Sequence, residues 1–363
     1  MKKRALIVDD SAFMRKLISD FLASSDQLVV IGTARNGQDA LAKIKSLKPD
    51  VVTLDVEMPE MNGIEALKLI MAECPLPVVM LSSTTEMGAE NTLTAMELGA
   101  VDFIPKPSGT ISLDLHKIKD QIIEKVVAAS GVQVSRLASR QTKQTLAESP
   151  LNRKPKESYF NQSHTSNVWS KNTEKIICIG SSTGGPRALQ HVLTKLPASI
   201  KAPILVVQHM PPGFTKSLAA RLNALSAIEV KEAENGEILK RGTAYIAPGG
   251  FHLKVKNDRN NLVVQLDQEE APRKGHRPSV DVLFESISIL KDFDKIAVIM
   301  TGMGADGSKG LVKLKKGGNT QAIAESKDSC IVFGMPKAAI ATNLVDDVEN
   351  VENIAHSIMK FMV

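Results

Sequence analysis

Val51-Val52-Thr53-Leu54-Asp55-Val56-Glu57-Met58-Pro59-Glu60-Met61-Asn62-Gly63-Ile64-Glu65-Ala66-Leu67-Lys68-Leu69-Ile70-Met71-Ala72 decides the reading of the fold. A short apolar run, Val51–Leu54, stops on an acid, crosses a Pro- and Gly-containing turn and gives way to a helix-compatible stretch from Ile64 to Ala72. The same unit recurs on both sides. Further apolar runs are Ala5–Val8, Leu28–Ile31, Val78–Leu81 and Val101–Ile104, with helix-compatible segments at Phe13 to Leu22, Gln38 to Leu47 and Ala89 to Leu98. Each segment gives roughly three turns, enough to cross between parallel strands. The alternation predicts a doubly wound α/β domain with helices on both faces.

A helix is predicted over Leu115 to Val134, leading out of that domain. Ser139 to Lys171 breaks the pattern: it is polar, contains Pro150 and Pro155, and has only isolated large apolar residues, as a flexible linker does. A second alternation starts at Lys175. Strand Ile176–Ile179, a Gly-rich turn, helix Arg187 to Leu196, strand Ile204–Val207 and helix Phe214 to Leu225 follow in order. Between Val230 and Leu266 short strands with turns at Asn235-Gly236, Pro248-Gly249-Gly250 and Asn257 to Asn261 predict hairpins on the sheet edge. Helix Val280 to Leu290, strand Ile296–Met300 and helix Ser308 to Lys316 resume the parallel pattern, and residues 349–361 read as a terminal amphipathic helix. The predicted class is α/β with two doubly wound domains, 1–122 and 173–363, the second mainly parallel with an antiparallel hairpin region. Residues 123–172 supply a helix and the polar linker.

Composition bounds the function. The 363 residues match a prior of two domains plus a connector. With 43% hydrophobic and 23% charged residues, the chain is not mostly disordered. No apolar run approaches membrane-spanning length, and the run Ala5–Val8 is too short for a signal-peptide core. Three scattered cysteines, Cys74, Cys178 and Cys330, read as reduced core residues of a cytoplasmic protein. Of the formal charge of +5, Ser139–Lys171 carries +4 (six Lys/Arg against two Asp/Glu), so neither folded part need present a basic face for nucleic acid.

Open α/β sheets bind ligands at the carboxyl ends of their strands. In the first domain those ends carry Asp9-Asp10, Asp55, Ser82-Ser83 and Lys106. Converging carboxylates need a cation, and a few of them with open positions suit Mg²⁺. Each residue alone has a bland reading: a helix cap for Asp9 or Asp10, a solvated strand end for Asp55, a surface lysine for Lys106. The set of four matched strand ends favours the functional one. With Asp55-Val56-Glu57-Met58-Pro59, Met61-Asn62-Gly63 and Lys106-Pro107, residues 1–120 resemble the receiver domain of bacterial response regulators, which has a flavodoxin-like (βα)5 fold. The resemblance implies phosphorylation of Asp55 by a histidine kinase. It implies Mg²⁺ held by Asp10 and Asp55 with Asp9 alongside, and Ser82 and Lys106 supporting the phosphoryl group. It also implies Phe103 as a switch aromatic and a frequently cis Lys106–Pro107 bond.

Gly180-Ser181-Ser182-Thr183-Gly184-Gly185 sits between a strand and a helix. Three readings stand side by side on this motif: a nucleophile turn exposing Ser182, a phosphate cradle, and a tight turn with helix-capping serines. The phosphate reading lacks its lysine, since Pro186-Arg187 follows. The next strands end in Gln208-His209 and in Thr301-Gly302-Met303-Gly304-Ala305-Asp306-Gly307, so Ser182, His209 and Asp306 supply a nucleophile, a base and an orienting acid. Their order differs from that of α/β-hydrolases. Together with Gln208 to Phe214, Ala247 to Gly250 and His276 to Asp281, these motifs make residues 173–363 resemble the catalytic domain of bacterial chemotaxis protein-glutamate methylesterases of the CheB type.

That resemblance implies a serine esterase switched on by phosphorylation. Ser182 attacks a glutamate γ-methyl ester of a methyl-accepting chemoreceptor, His209 moves the proton, and Asp306 orients His209. The backbone N–H of Met303, with that of Thr183, forms the oxyanion hole. Arg277-Pro278-Ser279 is a substrate-side candidate whose plainer role is to start the following helix. Glutamine deamidation is open to the same acyl chemistry. No cofactor serves the ester hydrolysis, and no membrane anchor is implied. Two rivals are a transcription factor, opposed by the +1 charge balance outside the linker and by the α/β pattern, and a phospho-switched binding module, opposed by the complete Ser–His–Asp set.

Overall fold

The computed structural model describes residues 1–106, 115–134, 173–259 and 261–362. Predicted features at Pro107 and in the polar stretch up to Lys171 lie outside them.

The first sheet contains β1 (Lys3–Val8), β2 (Leu28–Ala34), β3 (Val51–Asp55), β4 (Val78–Ser82) and β5 (Asp102–Pro105) in the order β2-β1-β3-β4-β5, every pair parallel. Its helices are α1 (Ala12–Ala23), α2 (Gly37–Leu47), α3 (Gly63–Glu73), α4 (Glu86–Leu98) and α5 (Leu115–Ser130). The strands alternate their burial between two cores. Ala5, Ile7, Val51 and Val79 share one core with Ile18 and Leu22 of α1 and Ile122, Val126 and Ala129 of α5. Leu6, Val8, Val52, Leu54 and Met80 share the other with α2, α3 and α4. A fully buried aliphatic side chain stabilises by about 1.5–3 kcal/mol, so both faces need their helices. Side-chain caps fix the helix starts: Ser11, Asn36, Asn62 (a reciprocal capping box with Glu65) and Thr85. Gly63 lies so close to β3 that a Cβ there would stand 2.0 Å from the Asp55 carbonyl oxygen. The helix after Asp55 can therefore start only with glycine.

One boundary needs moving. A division at residue 122 would cut α5, whose Ile122, Val126 and Ala129, with Val132 beyond it, all sit in the same core as β1. The first unit runs through this helix to Val132.

The second sheet contains β6 (Lys175–Ser181), β7 (Ile204–Gln208), β8 (Glu229–Glu232), β9 (Thr243–Ile246), β12 (Asp294–Ile299), β13 (Thr320–Glu325) and β14 (Asp347–Glu349). Its order is β14-β13-β12-β6-β7-β9-β8, again wholly parallel. The helices are α6 (Gly185–Leu193), α7 (Phe214–Leu225), α8 (Val280–Ser288), α9 (Ser308–Lys316), α10 (Met335–Ile340) and α11 (Val351–Lys360). The expected edge hairpins are only partly present. The segments β8 and β9 flank the Asn235-Gly236 turn but pair in parallel, with β9 inserted between β7 and β8. The true hairpin, β10 (His252–Asp258) with β11 (Asn261–Asp267), forms a separate antiparallel sheet. The terminal helix is present as α11, with Ile354 and Ile358 buried in the core that also holds Leu189 and Val192 of α6.

After β6 the chain winds to one side of the sheet, and after β12 to the other. The carboxyl ends of β6 and β12 therefore face a topological switch point, where ligands of such sheets bind.

Candidate active site

Adjacent parallel strands β12, β6 and β7 place three loops side by side. Ser182 follows β6. Its N–H donates to the Thr301 carbonyl (3.0 Å), and its own carbonyl accepts from Gly185 N (2.7 Å) and Gln208 Nε2 (2.9 Å). Buried Ser181 donates to Gln208 Oε1 (2.7 Å), which locks the β6 end to the β7 end. Gly302 passes so close that a Cβ there would lie 2.7 Å from Ser182 Cβ. The turn is thus fixed through its main chain, leaving the Ser182 side chain at the cleft.

His209 follows β7, and its Nε2 pairs with Asp306 Oδ2 at 2.8 Å. Asp306 accepts four further bonds: Val280 N on Oδ2 (2.7 Å), and Ser279 Oγ (2.9 Å), Asp281 N (3.0 Å) and Gly307 N (3.1 Å) on Oδ1. Burial opposes the charge on Asp306, but His209 and these N–H groups outweigh it and hold the carboxyl well below the ordinary range. His209 Nδ1 is buried without a hydrogen-bond partner. With Nε2 held by Asp306, Nδ1 is the ring nitrogen left to take a proton. His276 stacks on His209 at 3.9 Å between centroids and 9° between planes. Burial, with the charge of His209 behind it, pushes His276 down to about 3, so it stays neutral beside its neighbour.

Ser182, Thr183, His209, Met303, His276 and Arg277 line one cleft of about 170 Å³. The opposite wall comes from the first domain: Pro105, Gln121, Glu124 and Lys125. Contacts between the domains include two polar pairs and an aromatic stack. The Thr183 hydroxyl donates to Asp102 Oδ2 (2.5 Å), whose Oδ1 takes Lys125 Nζ (2.9 Å). Phe103 stacks on Phe214 at 4.9 Å. Arg221 forks onto Glu97, with Nε to Oε1 at 2.7 Å and Nη2 on Oε2.

At the strand ends of the first sheet, carboxylate oxygens of Asp9, Asp10 and Asp55 lie within 4.8 Å of one another. Asp9 and Asp55 are buried and Asp10 is exposed. Lys106 Nζ reaches Asp55 (2.7 Å) and Asp9 (3.0 Å). Burial pushes Asp55 up to about 6 against the pull of Lys106, and nearby Asp9 adds to the rise. Burial works against the Lys106 ammonium, but the two carboxylates leave its pKa above the usual value. Three clustered hard oxygens fit Mg²⁺. Ser82 lies at the neighbouring strand end and donates its hydroxyl to the Gly88 carbonyl (2.9 Å).

Sequence reasoning missed several of these groups. Ser279, singled out only as part of a substrate-side loop or as a helix start, also bonds Asp306. Asp102, Lys125 and the pairing of His276 with His209 are long-range contacts with no local signal, although His276 does stand in a quoted motif.

These two strand-end clusters define a two-domain α/β protein that joins a phosphorylation-type acid cluster to a hydrolase-type one. A CheB methylesterase family model matches residues 177–358, and a response regulator receiver domain model matches 5–117. The chain belongs to the CheB methylesterase family. It is 58% identical to the protein-glutamate methylesterase/protein-glutamine glutaminase of Halalkalibacterium halodurans, covering 98% of this chain and 97% of the relative. It is 53% identical to the protein of the same name from Bacillus subtilis, covering 98% and 97%. The crystal structure of the Thermotoga maritima CheB methylesterase catalytic domain aligns with TM-score 0.50 and 47% identity, covering 52% of this chain and 98% of that one.

Proposed function

We propose that this protein is a phosphorylation-activated serine esterase that hydrolyses glutamate γ-methyl esters on methyl-accepting chemoreceptors, releasing methanol, and deamidates receptor glutamines by the same route. The observation that carries this reading is the shared cleft, in which Ser182, His209 and Met303 face Gln121, Glu124 and Lys125 of the receiver.

Ser182 Oγ attacks the ester carbonyl carbon as His209 Nδ1 takes the hydroxyl proton. Asp306 holds the other ring nitrogen and stabilises the imidazolium. The N–H groups of Met303 and Thr183 receive the oxyanion. The tetrahedral intermediate collapses by breaking the C–OCH₃ bond, and the His209 proton leaves with methanol. Water then attacks the acyl-enzyme, gives its proton to His209 and releases the glutamate carboxylate and Ser182.

In the unphosphorylated state the receiver walls off this cleft. Asp10 and Asp55, with Asp9 alongside, would hold a Mg²⁺ ion, which would supply positive charge to the site where a histidine kinase or small donor phosphorylates Asp55. The new dianionic group draws Lys106 and the Ser82 hydroxyl toward it. Phe103, three residues before Lys106 and stacked on Phe214, links that change to the domain interface. No helix among the described residues is long and apolar enough to cross a membrane. The enzyme meets its receptors through its substrate.

The direct test is methanol release from methylated chemoreceptor membranes with Mg²⁺, before and after a small phosphodonor. Stimulated release is the expected result, and no release in either state overturns the reading. Asp55→Asn keeps the basal rate and removes the stimulation; a variant that still responds to the donor moves the phosphorylation site elsewhere. Arg221→Glu sets two negative charges against each other at the rim of the interface. It raises the basal rate about two- to tenfold, on the scale of a surface pair lost and turned repulsive. Combining it with Glu97→Arg restores the low basal rate. A basal rate that ignores the charge reversal means that this contact takes no part in inhibition.

A further inference from the structure

Glu325 ends β13 beside the active-site strands, and its side chain takes no part in the steps above. It is 1% exposed. One oxygen accepts the Thr301 N–H (2.8 Å), and the other accepts the Ser329 hydroxyl (2.9 Å). Ser329 Oγ in turn accepts Val351 N at the start of α11 (3.0 Å). Burial pushes this carboxyl up to about 7, against the pull of the Thr301 N–H, the Ser329 hydroxyl and the Cys330 thiol. Burying an acid costs stability, which singles out what it holds.

What it holds is Thr301. The β12–β13 ladder ends at Ile299 opposite Ala324, so the Thr301 N–H lies beyond backbone pairing and is taken by the Glu325 side chain. The other polar groups of Thr301 tie the catalytic turns together. Its carbonyl accepts Ser182 N (3.0 Å), its hydroxyl donates to the Thr183 carbonyl (2.9 Å), and the same hydroxyl accepts Val332 N (3.0 Å). Gly302, next in sequence, donates to Val332 O (3.0 Å) and accepts from Met335 N (2.8 Å). Met303 follows directly. Met303 lines the same cleft as Ser182, and its main chain is tethered to Ser182 through Thr301, one anchor of which is Glu325.

We propose that Glu325 is a positioning residue for ester hydrolysis, holding the Thr301–Gly302–Met303 segment, and with it the oxyanion donor, in register with Ser182. This rests on the Ser182 reading given above. The carboxylate acts through the main chain and touches no substrate, so its loss falls on the transition state rather than on substrate binding.

The test compares Glu325→Ala, Glu325→Gln and Ser329→Ala in the full chain, activated by a small phosphodonor and assayed for methanol release at pH 8. Glu325→Ala lowers kcat roughly 10- to 100-fold with KM within about twofold, short of the full loss of an oxyanion donor. Glu325→Gln stays within about threefold of wild type, because its amide oxygen still accepts the Thr301 N–H and its NH₂ can donate to Ser329 Oγ. Ser329→Ala is the milder change and keeps Glu325 on Thr301. It lowers kcat about two- to fivefold, the scale of one net hydrogen bond, and reads the same coupling if Glu325→Ala fails to fold. A Glu325→Ala rate within twofold of wild type, a loss carried by KM, a Glu325→Gln as poor as Glu325→Ala, or an unchanged Ser329→Ala each overturns the proposal. Ser182→Ala is run in parallel. If it is inactive while the Glu325 variants are normal, only this inference falls; if it stays active, the nucleophile reading falls first.

Discussion

Ser182→Ala lowers kcat for methanol release by about 10⁵- to 10⁶-fold, the scale seen when a nucleophile acting as a unit with its base is removed. The fold survives the change, because every structural bond of residue 182 belongs to its main chain: N–H to Thr301, carbonyl from Gly185 and Gln208. Deleting Oγ leaves the Gly302 contact untouched, since that approach is to the Cβ that alanine keeps. Three measurements check this together: methanol release, thermal melting and co-sedimentation with receptor membranes. Turnover should vanish while the other two stay at wild-type values. Activity within 100-fold of wild type places the nucleophile elsewhere.

Asp306→Asn lowers kcat by about 10³- to 10⁴-fold, and the hydrogen bonds say why. A carboxylate accepts on both oxygens, whereas the amide must turn its NH₂ to one side. If the NH₂ replaces Oδ1, it faces two N–H donors, Asp281 and Gly307, while the Ser279 hydroxyl can rotate. If it replaces Oδ2, it faces one N–H donor, Val280, and His209 can respond by changing tautomer. The second arrangement leaves fewer donors opposed and is the one adopted. It puts the His209 proton on Nδ1, the nitrogen that must accept the Ser182 proton. The same arrangement buries an unsatisfied donor, so melting also shows a loss of about 1–3 kcal/mol. The pH dependence follows from the lowered carboxyl of Asp306. Its stabilisation is fully present above the unfolded-state value near 3.9 and is lost only as pH falls through the lower folded value. The stability gap between wild type and variant should therefore narrow as pH falls below about 4, because only the wild type has a carboxylate to lose there. A gap that holds steady through that acid range, or a variant with wild-type kcat, contradicts this account.

The parallel strands were legible because they are buried on both faces and so read as uninterrupted apolar runs, as in Val51–Leu54 and Ile204–Val207. Where a strand carries polar residues the signal fails. β13, Thr-Gln-Ala-Ile-Ala-Glu, and the three-residue β14 passed unread. So did α10, of six residues. The Asn235-Gly236 turn invited a hairpin, but no local feature tells β8 that β9 will enter the sheet between it and β7. That choice is made by burial of Tyr245 and Ala244 against the neighbouring elements.

The sequence alone determined the unit structure, its class, and the strand-end residues able to do chemistry: Asp9, Asp10 and Asp55 with Lys106, and Ser182, His209 and Asp306. Hydrophobic runs and turn residues act over a few positions, and strand-end chemistry can be read wherever a run stops. Tertiary structure alone decided which strand ends meet, through the order β12-β6-β7. It also decided that His209 offers Nδ1 rather than Nε2, that Asp306 rests on Ser279 to Asp281, that Glu325 holds Thr301, and that Asp102 and Lys125 close the cleft. These are hydrogen bonds between residues as many as 97 positions apart, as in His209 and Asp306, so their partners are set only when packing brings the elements together.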